Sequence, residues 1–310
     1  MRISTSWAQQ LGLNAMLDQQ ARLSKTQMQL ASGKKILTPS DDPVGAARLV
    51  DLDHRIKQTE QYQSNLESAR QRLWLQESVL QNAVDVLQQV TELGMQGLNG
   101  TNTPSDRNSI AIEMEGLRDH LLKLANTQNA NGEYIFAGFK SKTPPFTQIA
   151  APGGGFSYDG DSGQRNIQVG MERTIADGNP GDSVFGMPAG TPPASGPSPG
   201  LENVFEAIDK FVSDLKNNDP QSSSLDDISH AMDRIINVQS STGIRLSILD
   251  QQEMANSDDA LHAEKVRSGI EDIDYAEAIS RFNAQTLALQ AAQQTFAQTQ
   301  RLSLFNFISG

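Results

Sequence analysis

The sequence predicts a mainly α protein: an elongated antiparallel helical rod with terminal coiled-coil helices and a small β-rich inserted domain. Three observations carry this. Between Ala46 and Leu93 there is neither Gly nor Pro, and apolar residues recur on a three-four register. Residues 136–200 then hold 13 of the 24 Gly and 9 of the 13 Pro. Beyond them the helical texture returns, so the chain reads as helices, insert, helices. Short connections make such helices antiparallel neighbours.

The elements follow in order. Residues 1–40 form an N-terminal axial helix that pairs with 275–310. Residues 41–135 are the first half of the rod, with a seam of Leu49, Leu52, Ile56, Leu66, Leu73, Leu80, Val84 and Leu87. Its gaps are Thr59, Gln63, Arg70 and Glu77, which makes an imperfect coiled-coil stripe. Thr103-Pro104-Ser105-Asp106 starts a new helix, with threonine as cap and proline in the first turn. Asn131-Gly132 ends it. Residues 136–200 are a small β-rich outer domain, with strands expected near 134–139, 155–158 and 166–169 and a flexible Pro/Gly tract at its end. The competing reading makes the whole insert a disordered linker. Residues 201–274 are the second half of the rod. Here Leu201, Val204, Phe205, Ile208, Phe211 and Leu215 mark an amphipathic helix stopped before Pro220. Ser224 with Asp227 reads as a capping box for the next helix, and Gly243 and Gly269 weaken its continuation. Residues 275–310 are the C-terminal axial helix.

The balance of 25 Lys+Arg against 37 Asp+Glu, net -12, argues against nucleic acid as a partner. Zero cysteines exclude disulfides, thiolate chemistry and Cys-based metal sites. The start MRISTSWAQQLG lacks the apolar run of a secretory leader, and no 18-residue apolar stretch suggests a membrane span. His54, His120, His230 and His262 are scattered, and no nucleophile elbow or phosphate loop is present. The expectation is no enzyme and no cofactor. Trp7 and Trp74 are read as packing anchors.

The ends carry the unusual signal. From Phe282 to Gly310 the only charged side chain is Arg301, and six glutamines accompany the heptad row Phe282, Leu289, Phe296. Ile279 extends that row backward and Phe305 forward. Residues 1–30 mirror it, with six glutamines, one acid and the row Met16, Leu23, Leu30. A helix facing bulk water normally carries charge on its outer face. Gln, Thr, Asn, Ser and Ala can instead be buried without the desolvation cost of a charge. Both faces are therefore expected to be covered, one by the sister helix and one by neighbouring subunits, with the ends frayed before assembly. Between the first helix and the rod, Gly33, Pro39 and Pro43 break the pattern. Ser40 is expected to cap the next helix, Asp41 and Asp42 to favour its amide end, and Lys34 and Lys35 to favour the carboxyl end of the helix before.

At this joint QLASGKKILTPSDDPVGAARL (29–49) closely resembles the N-terminal signature of the bacterial flagellin superfamily, and DYAEAISRFNAQTLALQAAQQTFAQTQRLSLFNFI (274–308) resembles its C-terminal signature. The start MRISTSW, the block NGEYIFAGFKSKTPPF (131–146) and the small middle region resemble the hook–filament junction branch. The resemblance implies an extracellular, non-catalytic axial protein of the flagellum, secreted through the flagellar type III export channel. The alternative within the superfamily is flagellin, the bulk filament subunit. Implied partners are the first hook-associated junction protein, flagellin, further copies of the chain in a ring or helical assembly, and an export chaperone, with no nucleic acid and no membrane. The candidate subunit-interface residues are Trp7, Met16, Leu23 and Leu30, the joint residues Gly33, Pro39, Asp41, Asp42 and Pro43, and Ile279, Phe282, Leu289, Phe296 and Phe305.

Overall fold

The computed structural model describes residues 2–149, 155–186 and 203–308. The Pro/Gly tract expected at the end of the insert lies outside them. The fold is mainly α, with β structure confined to two short hairpins among the described residues. Among the described residues seven helices appear in the order α1 (Arg2–Ser32), α2 (Pro43–Gly97), α3 (Pro104–Ala125), α4 (Gly181–Phe185), α5 (Val204–Lys216), α6 (Ser222–Glu271) and α7 (Tyr275–Ile308). Two compact units divide the chain. One comprises the stretches up to Gln58 and from Asp258, the other Thr59–Ser257, and α2 and α6 contribute to both.

In the 59–257 unit the α2 seam is more regular than the sequence reading allowed. Leu66, Ala69, Leu73, Gln76, Leu80, Ala83, Leu87 and Val90 are all buried, a continuous three-four repeat. Ala69 and Gln76, each one residue before the gaps at Arg70 and Glu77, fill the seam, and neither is a large apolar residue. Gly94 and Gly97 let neighbouring elements close in, since a Cβ there would meet Leu225 and Phe211, or Leu215, at 3.0 Å or less. Trp74 corrects the packing-anchor expectation, because it is 62 % exposed. Trp7 in the other unit does the same at 67 %.

Thr103 caps α3 as expected, with a reciprocal Thr103–Asp106 capping box. The helix ends earlier than Asn131-Gly132, at Ala125. There Asn126 turns out and its side chain binds the backbone of Phe146 at both its N–H and its C=O. The Ser224–Asp227 box is not formed. Ser224 lies inside α6, buried, and donates to Asp214 Oδ2 at 2.9 Å. Nor does Gly243 or Gly269 break α6, which runs 50 residues. One glycine costs about 1 kcal/mol, too little to interrupt a helix this long and this well packed elsewhere.

The insert is ordered over 155–186, against the linker reading. Strands β1 (Phe146–Gln148) and β2 (Phe156–Tyr158) pair antiparallel, as do β3 (Asn166–Gln168) and β4 (Thr174–Ala176). The strand expected at 134–139 is instead a series of turns with one isolated bridge, Gln128 to Tyr134. Phe136, Phe146, Phe156, Phe185 and Phe205 pack ring on ring and join the core formed by α2, α3, α5 and α6. Asp177, buried, forms ion pairs with both Arg72 of α2 and Arg165 of the insert.

Candidate subunit interface

The joint of the other unit is built from two turns that pair with each other. Gly33, with φ +72°, ends α1, and its carbonyl accepts from Ile273 N–H at 3.0 Å. Lys35 N–H donates to the Glu271 carbonyl at 2.6 Å, and Lys34 bridges to Asp272. A Cβ at position 33 would lie 3.0 Å from the Tyr275 hydroxyl, so glycine serves both the turn and the close approach. Gln29 is buried beneath, donating from Nε2 to the Lys35 carbonyl at 2.7 Å.

The charged residues of the joint have sharper roles than expected. Lys34 forms an ion pair with Glu271 of α6 rather than serving the end of α1. Asp42, not Ser40, holds the start of α2: its Oδ1 accepts from Gly45 N–H at 2.9 Å, with Pro43 as the first helical residue. Asp274 caps α7 in the same way, accepting from Ala276 and Glu277 N–H at 2.9 and 3.2 Å. Asp41 closes the loop on itself, accepting from Leu37 and Thr38 N–H at 3.1 Å each and from Lys25 Nζ at 2.6 Å. Pro39 and Pro43 are exposed.

Those bonds, the Lys25 ammonium first and then the Thr38 and Leu37 amides, hold the Asp41 carboxyl down from an ordinary 3.8 to about 2. A depressed carboxylate stabilises the fold above its unfolded pKa and loses that contribution as pH falls through the folded value. The contribution of Asp41 to the loop is therefore expected to be complete above pH 3.8 and to be lost as pH falls from there through about 2. A ¹³C titration of the Asp41 carboxyl should give a midpoint near 2; one at 3.8 would mean that these three bonds are not held in solution.

From the joint, α1 and α7 run back together as an antiparallel pair. A Cβ at Gly12 would lie 3.3 Å from the Phe296 ring, while at the opposite end Gly33 faces Tyr275. Met16, Leu23, Leu30, Phe282, Leu289 and Phe296 are half-buried in this pair. Trp7 and Ile279 are exposed, and the Phe305 side chain lies outside the described residues. The heptad count missed a second apolar set: Leu11, Leu17, Met28 and Leu287 are all more than half exposed. Their signal was present as additional large apolar residues beside the single row each helix was credited with. Among the described residues no group of three or more His, Asp or Glu is placed to hold a metal ion, and no helix is long and apolar enough to cross a membrane.

The sequence matches two family models, the bacterial flagellin N-terminal helical region over residues 3–141 and the C-terminal helical region over 225–308. It is 32% identical to flagellar hook-associated protein 3 of Escherichia coli strain K12 over 318 aligned residues, covering 98% of this chain and 99% of that protein. The chain belongs to the flagellin superfamily, in its hook-associated protein 3 family. A filament protein matches far less of it: the flagellar filament 41 kDa core protein of Borreliella burgdorferi is 35% identical over 126 residues, 41% of this chain and 36% of its own length. The crystal structure of flagellar hook-associated protein 3 from Legionella pneumophila shares the fold, with a TM-score of 0.60 at 23% identity over 70% of this chain and 98% of that one. As a member of the hook-associated protein 3 family, the chain is an extracellular structural protein of the flagellar axis, not an enzyme.

Proposed function

We propose that this chain forms a short ring joining the hook and its first junction protein to the flagellin filament, and that its terminal helices finish packing only in that ring. The observation that carries this is the surface of the α1–α7 pair. Leu287 is 69 % exposed, and Trp7, Leu11, Leu17 and Met28 are also open, on helices with few charged side chains, Arg301 alone from Phe282 onward. Fully burying one such side chain is favourable by about 1.5–3 kcal/mol, so a row of them left open is a strong drive to association.

In this reading residues 1–40 and 275–310 form the innermost shell of the tube. Residues 41–135 and 201–274 form the next shell, and 136–200 face outward. Before export the same open face of α7 offers an amphipathic helix to a chaperone, and the chain leaves through the flagellar type III channel. Depleting the protein from its own cells should leave hooks without filaments and release free flagellin into the medium. Filaments attached normally to depleted hooks would overturn the proposal. Long filaments grown from this chain alone would assign it to the bulk filament instead.

A further inference from the structure

In the 59–257 unit the α2–α6 pair has two flanks, and the described residues of the insert cover one of them. The insert sits on the first. Asn65 Nδ2 donates to the Gln168 carbonyl at 2.8 Å, Asn256 Nδ2 donates to the Val169 carbonyl at 2.9 Å, and Gln76 Oε1 accepts from Asn179 N–H at 3.2 Å. Arg72 also reaches the insert, through Asp177. Two residues along a helix is a rotation of about 200°, so Trp74 stands on the flank opposite Arg72.

That second flank is a groove of about 410 Å³ lined by Trp74, Glu77, Ser78, Gln81 and Gln239. Two bridges between the helices bound it along the pair. Gln239 Nε2 donates to Gln81 Oε1 at 2.8 Å on one side of Trp74, and Arg70 reaches Asp250 and Glu253 on the other. One turn beyond Gln239, on the same face, is Gly243, and a Cβ there would have nothing within 4 Å. Glycine inside a helix costs about 1 kcal/mol relative to alanine, and no contact among the described residues uses the space. An exposed indole and a helix-interior glycine thus fall together where the described residues gain nothing from either.

We propose that this flank receives the β3–β4 hairpin tip of a second copy of the chain. The tip presents Met171, 67 % exposed, and Arg173, also exposed. A thioether and a guanidinium are the two groups an open indole takes best, and the Glu77 carboxylate stands beside Trp74 to pair with the cation. Glu172 between them keeps the tip near neutral, so placement rather than bulk charge selects the contact. Tip and groove lie on opposite flanks of one body. Repeating the contact is therefore heterologous and propagates into a ring or helix instead of closing as a two-fold dimer.

This contact rests on the reading that copies adjoin at the hook end. The chain has no cysteine, so Ser78→Cys with Met171→Cys in one full-length chain gives a clean cross-link test on isolated hooks. A ladder of dimers and larger species under oxidising conditions, absent from either single variant, is the expected result. The chain present at hook ends without a ladder would overturn this contact alone, whereas its absence from hook ends would overturn the ring as well. As a second measurement, Glu77→Arg should lower occupancy of hook ends by about ten-fold, as loss of an interface anchor does. Adding Arg173→Glu to it should restore occupancy, and failure of that rescue would overturn the pairing.

Discussion

Replacing Phe205 by alanine is expected to destabilise the 59–257 unit by about 3–5 kcal/mol. Phe205 is fully buried at the first turn of α5, with ring centroids of Phe146, Phe156 and Phe185 at 5.2, 5.1 and 5.9 Å. Those rings come from β1, β2 and α4, and each is held by its own backbone pairing or by another ring, so the hole cannot collapse cheaply. The cost is not confined to the insert. The aromatic group is continuous with Leu80, Leu87, Met114, Phe211 and Ile235 of the helices, so insert and helices should unfold in one transition. Denaturant unfolding of the full chain, with Phe205→Leu as the volume-sparing control, measures it. A loss below about 1 kcal/mol, or a separate early transition for the insert, would show that the two are not one core.

What the sequence made legible follows from which residues advertise their role. The Leu and Ile of α2 announced a seam, and Thr103-Pro104-Ser105-Asp106 announced a cap that the structure forms atom for atom. Ala69, Gln76 and Ala83 complete the seam silently, because a small or polar side chain signals burial only once its neighbours are known. All four strands are only three residues long; β2 and β3 fall in stretches that alternate, whereas β1 abuts Pro144-Pro145 and β4 the charged Glu172-Arg173. Their pairing also depends on partners across turns rich in Gly and Pro. At the joint, the break at Gly33–Pro43 was plain, but the pairing of Lys34 with Asp272 joins residues more than 200 apart and leaves no local mark. Trp74 misled for the opposite reason: tryptophan is usually a core residue, and its exposure becomes informative only when the empty groove beside it is seen.

Removing residues 282–310 is expected to abolish incorporation at the hook end while leaving the 59–257 unit folded. The deletion takes Phe282, Leu289 and Phe296 from the face that half-covers Met16, Leu23 and Leu30. An unpartnered 31-residue α1, poor in charge and without its sister, holds little helix on its own in water. The apolar side chains proposed to meet neighbouring subunits then have no rigid surface to sit on. The ordering cost of both segments falls on the docking step, which weakens it by several kcal/mol. Nothing removed belongs to the 59–257 unit, so its unfolding midpoint should be unchanged. Because the same segment is proposed to meet an export chaperone, secretion and assembly must be separated. Purified truncated and full-length proteins are added to hooks isolated from depleted cells, and bound protein is counted. Full-length protein should occupy the hook ends and the truncated form should not. Equal occupancy would mean that the charge-poor ends are not what neighbouring subunits hold, and their composition would need another cause.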